Sequence, residues 1–304
     1  MKVGIIGAGS IAGTMAGTIR EMDCAQNYAV AARDYGRAAE FAQTYGFEKA
    51  YGSYEELVED AGVELVYIAT PHSHHYEHIK LCLNHGKHVL CEKSFTVNES
   101  QAREVLALAR EKKLLLTEAI WTRYMPMRKT LDSVLSSGVI GRPYMLTANL
   151  GYIISGKERI MRPELAGGAL LDVGIYPLNF ASMVFGDEVD SITGTAVMTE
   201  TGVDAQNSIT ITYKDGKMAA LCSSAMGLSD RRGIIYGDNG FIEVENINNC
   251  EGIRVYDRSR NMIASYDTPK QISGYEYEVE ACLRAIKEGA LECPEMPHEE
   301  TLRM

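Results

Sequence analysis

Three groups of residues have types and spacings suited to chemistry. The first is Gly7, Gly9 and Ala12 in "GIIGAGSIAG", a G-x-G-x-x-A pattern directly after an apolar, strand-like run. In that context the first glycine makes a tight turn and the second lets backbone approach a pyrophosphate. The alanine permits close helix–strand packing. The helix that follows would offer free N–H groups and a partial positive charge to phosphates. The second group is Glu92 and Lys93 in "KHVLCEKSF" (87–95), where an apolar run stops at a charged pair. Charges can simply mark where a strand surfaces. An ammonium at a strand end can also form the floor of a site. The third is Asp172 and Tyr176 in "GGALLDVGIYPLNF" (167–180), four apart and so on one face of a helix. Gly168 and Gly174 would allow another backbone or a ligand to come close, and Pro177 would bend the chain just after Tyr176. A tyrosine hydroxyl in a cleft beside Lys93 can give or take a proton, because a nearby cation favours the phenolate. The alternative is a buried tyrosine with a satisfied hydroxyl.

The type of dinucleotide depends on the end of the second strand, "AARDYGR". NAD sites usually carry an acidic residue there. Here Arg33 comes first, Asp34 follows, and Arg37 lies one helical turn on. A guanidinium pairs with a 2′-phosphate through two N–H groups, so NADP is the expected cofactor. NAD remains the alternative, with Asp34 on a ribose and both arginines solvated. Six of the seven histidines lie within 72–88. His74 and His78 are spaced i, i+4, as in half a zinc site, but no third ligand accompanies them and no metal is expected.

Alternating strand and helix patterns must position these groups. Strands are expected at 2–6, 28–32, 47–51, 64–70, 87–92 and 114–120. Helices are expected at 11–22, 35–46, 53–62, 74–86 and 98–113, with Ser53–Glu56 and Asn98 as cap signals. This alternation predicts an α/β fold with a doubly wound parallel sheet. After residue 140 the rhythm changes. A Gly-rich helix near 167–185 precedes β-type runs at 190–202, 205–214, 217–226, 232–237, 240–245, 252–257 and 261–266, and a helix at 275–289. The expected architecture is a Rossmann domain, 1–121, and an α+β domain with a large open, mostly antiparallel sheet, 122–304.

Composition narrows the function classes. The 304-residue chain is 46% hydrophobic and carries a formal charge of −11, with no basic cluster for a nucleic-acid face. No apolar run approaches the ~20 residues that span a membrane. The N-terminus does not resemble a secretory signal. Seven cysteines without a C-x-x-C pair fit reduced thiols and a cytoplasmic location. No nucleic-acid or membrane partner is expected.

Together "GAGSIAGTM" (7–15), "YIATPHSHHYEHIKLCLNHGKHVLCEKSF" (67–95) and "GGALLDVGIY" (167–176) resemble the glucose–fructose oxidoreductase/inositol dehydrogenase (Gfo/Idh/MocA) family. "EAIWTRYMP" (118–126) is similar to the branch holding dimeric trans-dihydrodiol dehydrogenase and NADP-dependent D-xylose dehydrogenase. The resemblance covers nearly the whole chain. It implies catalytic roles for Lys93, Tyr176 and Asp172, with Tyr176 standing where inositol dehydrogenases carry a histidine. It implies a cofactor site of Gly7, Gly9, Ser10, Ile11, Arg33, Arg37, Thr70, Pro71, His75, Glu92, Lys93, Trp121 and Arg123. Trp121 and Arg123 match that branch's active-site wall, and Trp121 would offer a flat face to a substrate ring. The implied substrate is a sugar, polyol or diol, and the implied assembly a homodimer or higher homo-oligomer through the second sheet. Two features depart from the family. Ser94 replaces the usual proline after Glu-Lys, and "PHEETLRM" looks like the opening turn of a helix that relatives complete, so the C-terminus is expected to be short or shortened. The expected reaction is hydride transfer between NADP and a secondary alcohol or carbonyl. The rival readings are a non-catalytic nucleotide sensor, a methyltransferase, which Arg33 speaks against, and a zinc protein. Tyr152, Arg159 and Arg162 lie in a plausible substrate loop, or are surface residues.

Overall fold

The computed structural model describes residues 1–304. Two compact units divide the chain: Met1–Tyr124 with Gln271–Arg303, and Met125–Lys270 with the terminal Met304.

The first unit is built on a six-stranded parallel sheet ordered β3-β2-β1-β4-β5-β6. Its elements are β1 (Lys2–Ile6), α1 (Ser10–Arg20), β2 (Gln26–Ala31), α2 (Tyr35–Tyr45), β3 (Lys49–Tyr51) and α3 (Tyr54–Glu59). They continue with β4 (Leu65–Ile68), α4 (His75–Asn84), β5 (His88–Glu92), α5 (Glu99–Lys112) and β6 (Leu116–Ala119). Ile5, Ile6, Leu65, Ile68, Val89 and Leu90 are fully buried, as expected for strands covered on both faces. Side-chain caps start three helices: Asp34 on α2, Ser53 on α3 and Asn98 on α5. All seven cysteines are free.

The expected boundary at 121 lies three residues from the observed crossing at Tyr124, but the expected run of the second unit to 304 is corrected. The helices Glu276–Glu288 and His298–Arg303 belong to the first unit. The latter packs on α5, and the chain between them accepts the Leu116 N–H at the Leu291 carbonyl (3.1 Å). Burying Val279, Ala281 and Cys282 against the parallel sheet is what brings the chain back.

The second unit carries an eight-stranded sheet ordered β14-β13-β12-β11-β7-β10-β9-β8. In chain order the helix α6 (Pro126–Ser136) is followed by β7 (Pro143–Gly151), the short helix α7 (Glu158–Met161), a π-helical turn (Leu170–Gly174) and α8 (Ile175–Phe185). Then come β8 (Val189–Met198), β9 (Asp204–Tyr213), β10 (Met218–Ser224), β11 (Gly233–Gly237), β12 (Gly240–Glu245), β13 (Gly252–Asp257) and β14 (Met262–Asp267). The two helices of the first unit beyond it are α9 (Glu276–Glu288) and α10 (His298–Arg303). All neighbours in the eight-stranded sheet are antiparallel except β7 and β10. The sequence reading places nothing at α6 or β7, yet β7 is central. Leu146, Ala148 and Leu150 alternate into the core, toward α8, and Pro143 occupies the first strand position, where a missing N–H is tolerated.

The helical run Pro163–Phe185 amends one sequence expectation. Its mean hydropathy of 1.3 and length would suit a membrane span, but 72% of it is buried within the fold. It is the core helix of the second unit.

Candidate functional site

In the first unit the dinucleotide loop forms as its residues require. Gly7 has φ +105°, and a Cβ there would lie 2.8 Å from the Ala69 carbonyl oxygen, so only glycine fits. Ala12, in the first turn of α1, is fully buried. Gly9 is the N-cap of α1, and no side chain caps that helix, nor does an acidic residue occupy its first turn. Ser10 and Ile11 open it. Helices α2, α3 and α5 spend a side chain on their first N–H groups, whereas α1, like α4, α6, α7, α8 and α9, has no side-chain cap. An anion suits such a helix end. The residues present therefore fit a dinucleotide pyrophosphate.

Beyond the loop, Asp34 accepts the Arg37 N–H (2.7 Å), so its carboxylate caps α2. The Arg37 guanidinium donates from Nε (3.2 Å) and Nη2 (2.8 Å) to the Ala8 carbonyl, within the dinucleotide loop itself. Arg33 is exposed and close enough to Tyr54 and His78 to lower the pKa of each, though burial is the larger influence on both. Burial pushes His78 down to about 4.

The histidines are engaged locally. His78 Nδ1 lies 3.0 Å from the Thr70 hydroxyl and His74 Nδ1 3.0 Å from the Ser73 hydroxyl, and the two rings stack at 5.9 Å. No three His, Cys, Asp or Glu side chains are grouped as metal ligands. His75 is fully buried. Its Nδ1 is 2.9 Å from the Ser94 carbonyl and its Nε2 2.8 Å from the Thr70 carbonyl. Burial lowers its pKa to about 4, so the ring is neutral and donates to one carbonyl at a time. Pro71 caps the short 3-10 turn that precedes it. His75 therefore lies between the end of β4 and the turn after β5, with its single N–H within reach of either carbonyl.

That turn carries Lys93, which is half-buried. The Lys93–Ser94 peptide is cis, with serine in the position where the family has proline. Glu92 is buried; its carboxylate accepts the Tyr67 hydroxyl and the Lys93 N–H (3.1 Å). Phe95 N–H donates to Glu118 (3.3 Å), a buried carboxylate at the end of β6.

Two implied wall residues have partners within the first unit. Arg123 is 9% exposed, and its Nη2 lies 2.5 Å from Glu300 on α10, which also pairs with Arg303. Its guanidinium is held by the returning C-terminal chain. Trp121 is stacked on Tyr275, with centroids 4.3 Å apart and planes at 19°. One face of the expected flat wall is thus covered by a residue that sequence reasoning did not single out.

In the second unit Asp172 lies in the π-helical turn and Tyr176 in the first turn of α8, and both are buried. Gly168 has φ +104°, and a Cβ there would sit 2.2 Å from Asp204, whose carboxylate accepts the Leu170 N–H (2.8 Å). Asp172 accepts Arg159 Nη1 at 2.6 Å. Of the proposed substrate loop, Arg159 therefore joins the candidate acid–base group. Arg162 pairs with Glu158 (2.9 Å) and Glu164 (3.1 Å) at the surface, and the Tyr152 hydroxyl accepts from Asn248 (3.1 Å).

Residues 1–120 match the family model "Oxidoreductase family, NAD-binding Rossmann fold", and residues 129–243 match "GFO/IDH/MocA C-terminal domain". The chain is 36% identical to human trans-1,2-dihydrobenzene-1,2-diol dehydrogenase, over 99% of this chain and 92% of that protein. The chain belongs to the Gfo/Idh/MocA oxidoreductase family. It is 34% identical to the dihydrodiol dehydrogenase of Xenopus tropicalis, over 97% of this chain and 92% of that protein. In fold it is similar to a 3-ketoreductase from Actinomadura kijaniata solved with NADP and TDP-benzene, with TM-score 0.92, 25% identity, and coverage of 100% and 94%. It is also similar in fold to an aldose-aldose oxidoreductase from Caulobacter crescentus, with TM-score 0.90, 18% identity, and coverage of 100% and 93%.

Proposed function

We propose that this oxidoreductase uses NADP and acts on a secondary alcohol or carbonyl of a sugar, polyol or trans-dihydrodiol. The observation that carries the cofactor reading is the pair formed by the side-chain-free N-terminus of α1 and Arg37 on the Ala8 carbonyl. The pyrophosphate would sit on the first turn of α1. Arg37, with Arg33, would take the 2′-phosphate, while Asp34 stays on its own helix. Thr70 and Pro71, at the end of β4, would border the nicotinamide. NADP bound to the Actinomadura ketoreductase supports the same choice.

A bound nicotinamide supplies the hydride acceptor in oxidation and the donor in reduction. The remaining work falls to side chains of this chain. In the oxidising direction Tyr176 would take the hydroxyl proton as a phenolate, Lys93 would hold the hydroxyl oxygen, and Asp172, fixed by Arg159, would orient the reacting group. The dihydrodiol dehydrogenase relatives support a diol substrate, and the aldose-aldose oxidoreductase supports a sugar.

We assign the protein to the cytoplasm, with no nucleic-acid or membrane partner, and infer a homo-oligomer formed through the eight-stranded sheet. Strand β8 is exposed along almost its whole length and presents Ile192 (62%) and Val197 (57%), apolar surface that a second copy would cover.

Nicotinamide reduction, measured with NADP and NAD across aldoses, inositols, dihydrodiols and simple diols, tests the reading. Turnover with NADP and a sugar or diol is expected. Tight NADP binding without turnover of any of them would favour the non-catalytic sensor.

A further inference from the structure

The turn that carries Lys93 is gripped from two sides. His75 on α4 reaches the Ser94 carbonyl (2.9 Å), and Glu118 on β6 accepts the Phe95 N–H (3.3 Å). Glu118 is unusual for a carboxylate on a strand of this sheet: it lies on the edge strand β6, between Thr117 and Ala119, yet only 2% of it is exposed. Buried carboxylates are costly unless partners satisfy them. Its remaining partners come from the chain's end. The Thr301 hydroxyl on α10 hydrogen-bonds it, and Arg123, itself ion-paired with Glu300 on α10 (2.5 Å), lies close by.

We propose that Glu118 is a positioning residue for Lys93: anchored by α10, its carboxylate holds the Lys93–Phe95 turn through the Phe95 N–H. The inference rests on the catalytic role assigned to Lys93 above. It also gives the returning C-terminal segment a function. Helix α10 acts on the Lys93 turn through Glu118, which the Thr301 hydroxyl hydrogen-bonds.

The groups facing Glu118 are few. Glu92 and Cys91 approach it from β5, Arg123 from the Trp121–Arg123 turn, and Thr301 from α10. Burial raises the carboxyl to about 7 against the downward pull of the Phe95 N–H, Thr301 and Arg123, with Glu92 adding to the rise. The Cys91 thiol is held well above its ordinary value by burial and stays neutral. Glu118 thus changes charge in the neutral range, and its hold on the Phe95 N–H strengthens as it ionises, because charged acceptors make stronger hydrogen bonds than neutral ones.

The test compares wild type with Glu118→Gln and Thr301→Val in kcat, KM and NADP Kd from pH 5.5 to 9. Segment-resolved amide-exchange protection of residues 93–96 is measured on the same proteins without cofactor. In the wild type, kcat and protection are expected to rise through an inflection near pH 7. Glu118→Gln should lose that inflection while NADP Kd stays within about twofold. Thr301→Val removes a hydrogen bond that favours the carboxylate, so its inflection should move to higher pH. Thr301→Val also serves if Glu118→Gln does not fold. Profiles of Glu118→Gln that superimpose on wild type, or an unmoved inflection in Thr301→Val, would overturn the proposal. If the wild type turns over none of the alcohols, the functional reading fails, and the exchange profiles still decide whether Glu118 holds the turn.

Discussion

Replacing Arg37 with methionine keeps an apolar stem and removes the guanidinium. That group has five N–H donors, and the structure uses two of its nitrogens on the Ala8 carbonyl, at 3.2 and 2.8 Å. The residue is otherwise exposed, with donors left for a phosphate on the cofactor ribose. Hydrogen bonds to a charged group contribute about 1.5–3 kcal/mol, so NADP affinity should fall about 10- to 150-fold. NAD has no 2′-phosphate and loses only the support of the loop, a neutral hydrogen-bond effect of about 0.5–1.5 kcal/mol. NADP loses that loop support as well, so the ratio of NADP to NAD affinity should fall by the phosphate contribution alone, about 10- to 150-fold. Fluorescence titration with NADPH and NADH, in one buffer at fixed ionic strength, measures both constants. Equal weakening of the two would refute the reasoning. It would mean that Arg37 serves only the loop and that the 2′-phosphate has another partner or none.

Three further outcomes follow from the same geometry. Tyr176→Phe should lower kcat by about 10²–10⁴, the usual contribution of a positioned acid or base, with NADP affinity unchanged in a binding titration. Gly7→Ala places a Cβ 2.8 Å from the Ala69 carbonyl at φ +105°, and should lower stability by about 1–3 kcal/mol in a denaturant melt. Glu278 is fully buried with neither carboxylate oxygen hydrogen-bonded, and burial holds its pKa well above the ordinary value. The folded protein keeps that proton while the unfolded chain loses it near 4.5. Stability is therefore present below that pH and is lost by about 1.4 kcal/mol per unit as pH rises toward the folded value. Glu278→Gln, which cannot ionise, should gain stability over wild type increasingly from pH 5 upward. A pH-independent difference in chemical melts would contradict this.

Local signals carried most of the fold. Gly7 and Ala12 sit where the G-x-G-x-x-A pattern requires them, and Ser53 and Asn98 cap the helices they were expected to cap. The second sheet was legible except for β7, whose alternating Leu146, Ala148 and Leu150 follow a proline that masks the strand start. Long-range returns were not legible. Nothing local in "GYEYEVEACLRAIKEG" announces that it packs on the parallel sheet, so Tyr275 over Trp121 and Glu300 on Arg123 were missed. A signal for the buried acids did exist. Glu278 lies three and four residues before the buried Ala281 and Cys282, on one helix face, and Glu118 sits on a fully buried strand. A carboxylate in such a place must find partners or keep its proton. Asp172 and Tyr176 were singled out by spacing, but the Arg159 pairing depends on how the 152–168 segment folds back, which spacing does not show.

The central claim is tested most directly by following one hydrogen. The protein is incubated with oxidised NADP and, in turn, an aldose, an inositol and a trans-dihydrodiol carrying deuterium on each carbinol carbon. The reduced cofactor is then examined by mass spectrometry. The account predicts deuterium in the nicotinamide ring with at least one substrate, and a loss of about 10²–10⁴ in its rate of appearance with Tyr176→Phe. NADP binding with no deuterium in the ring from any of these substrates would contradict it.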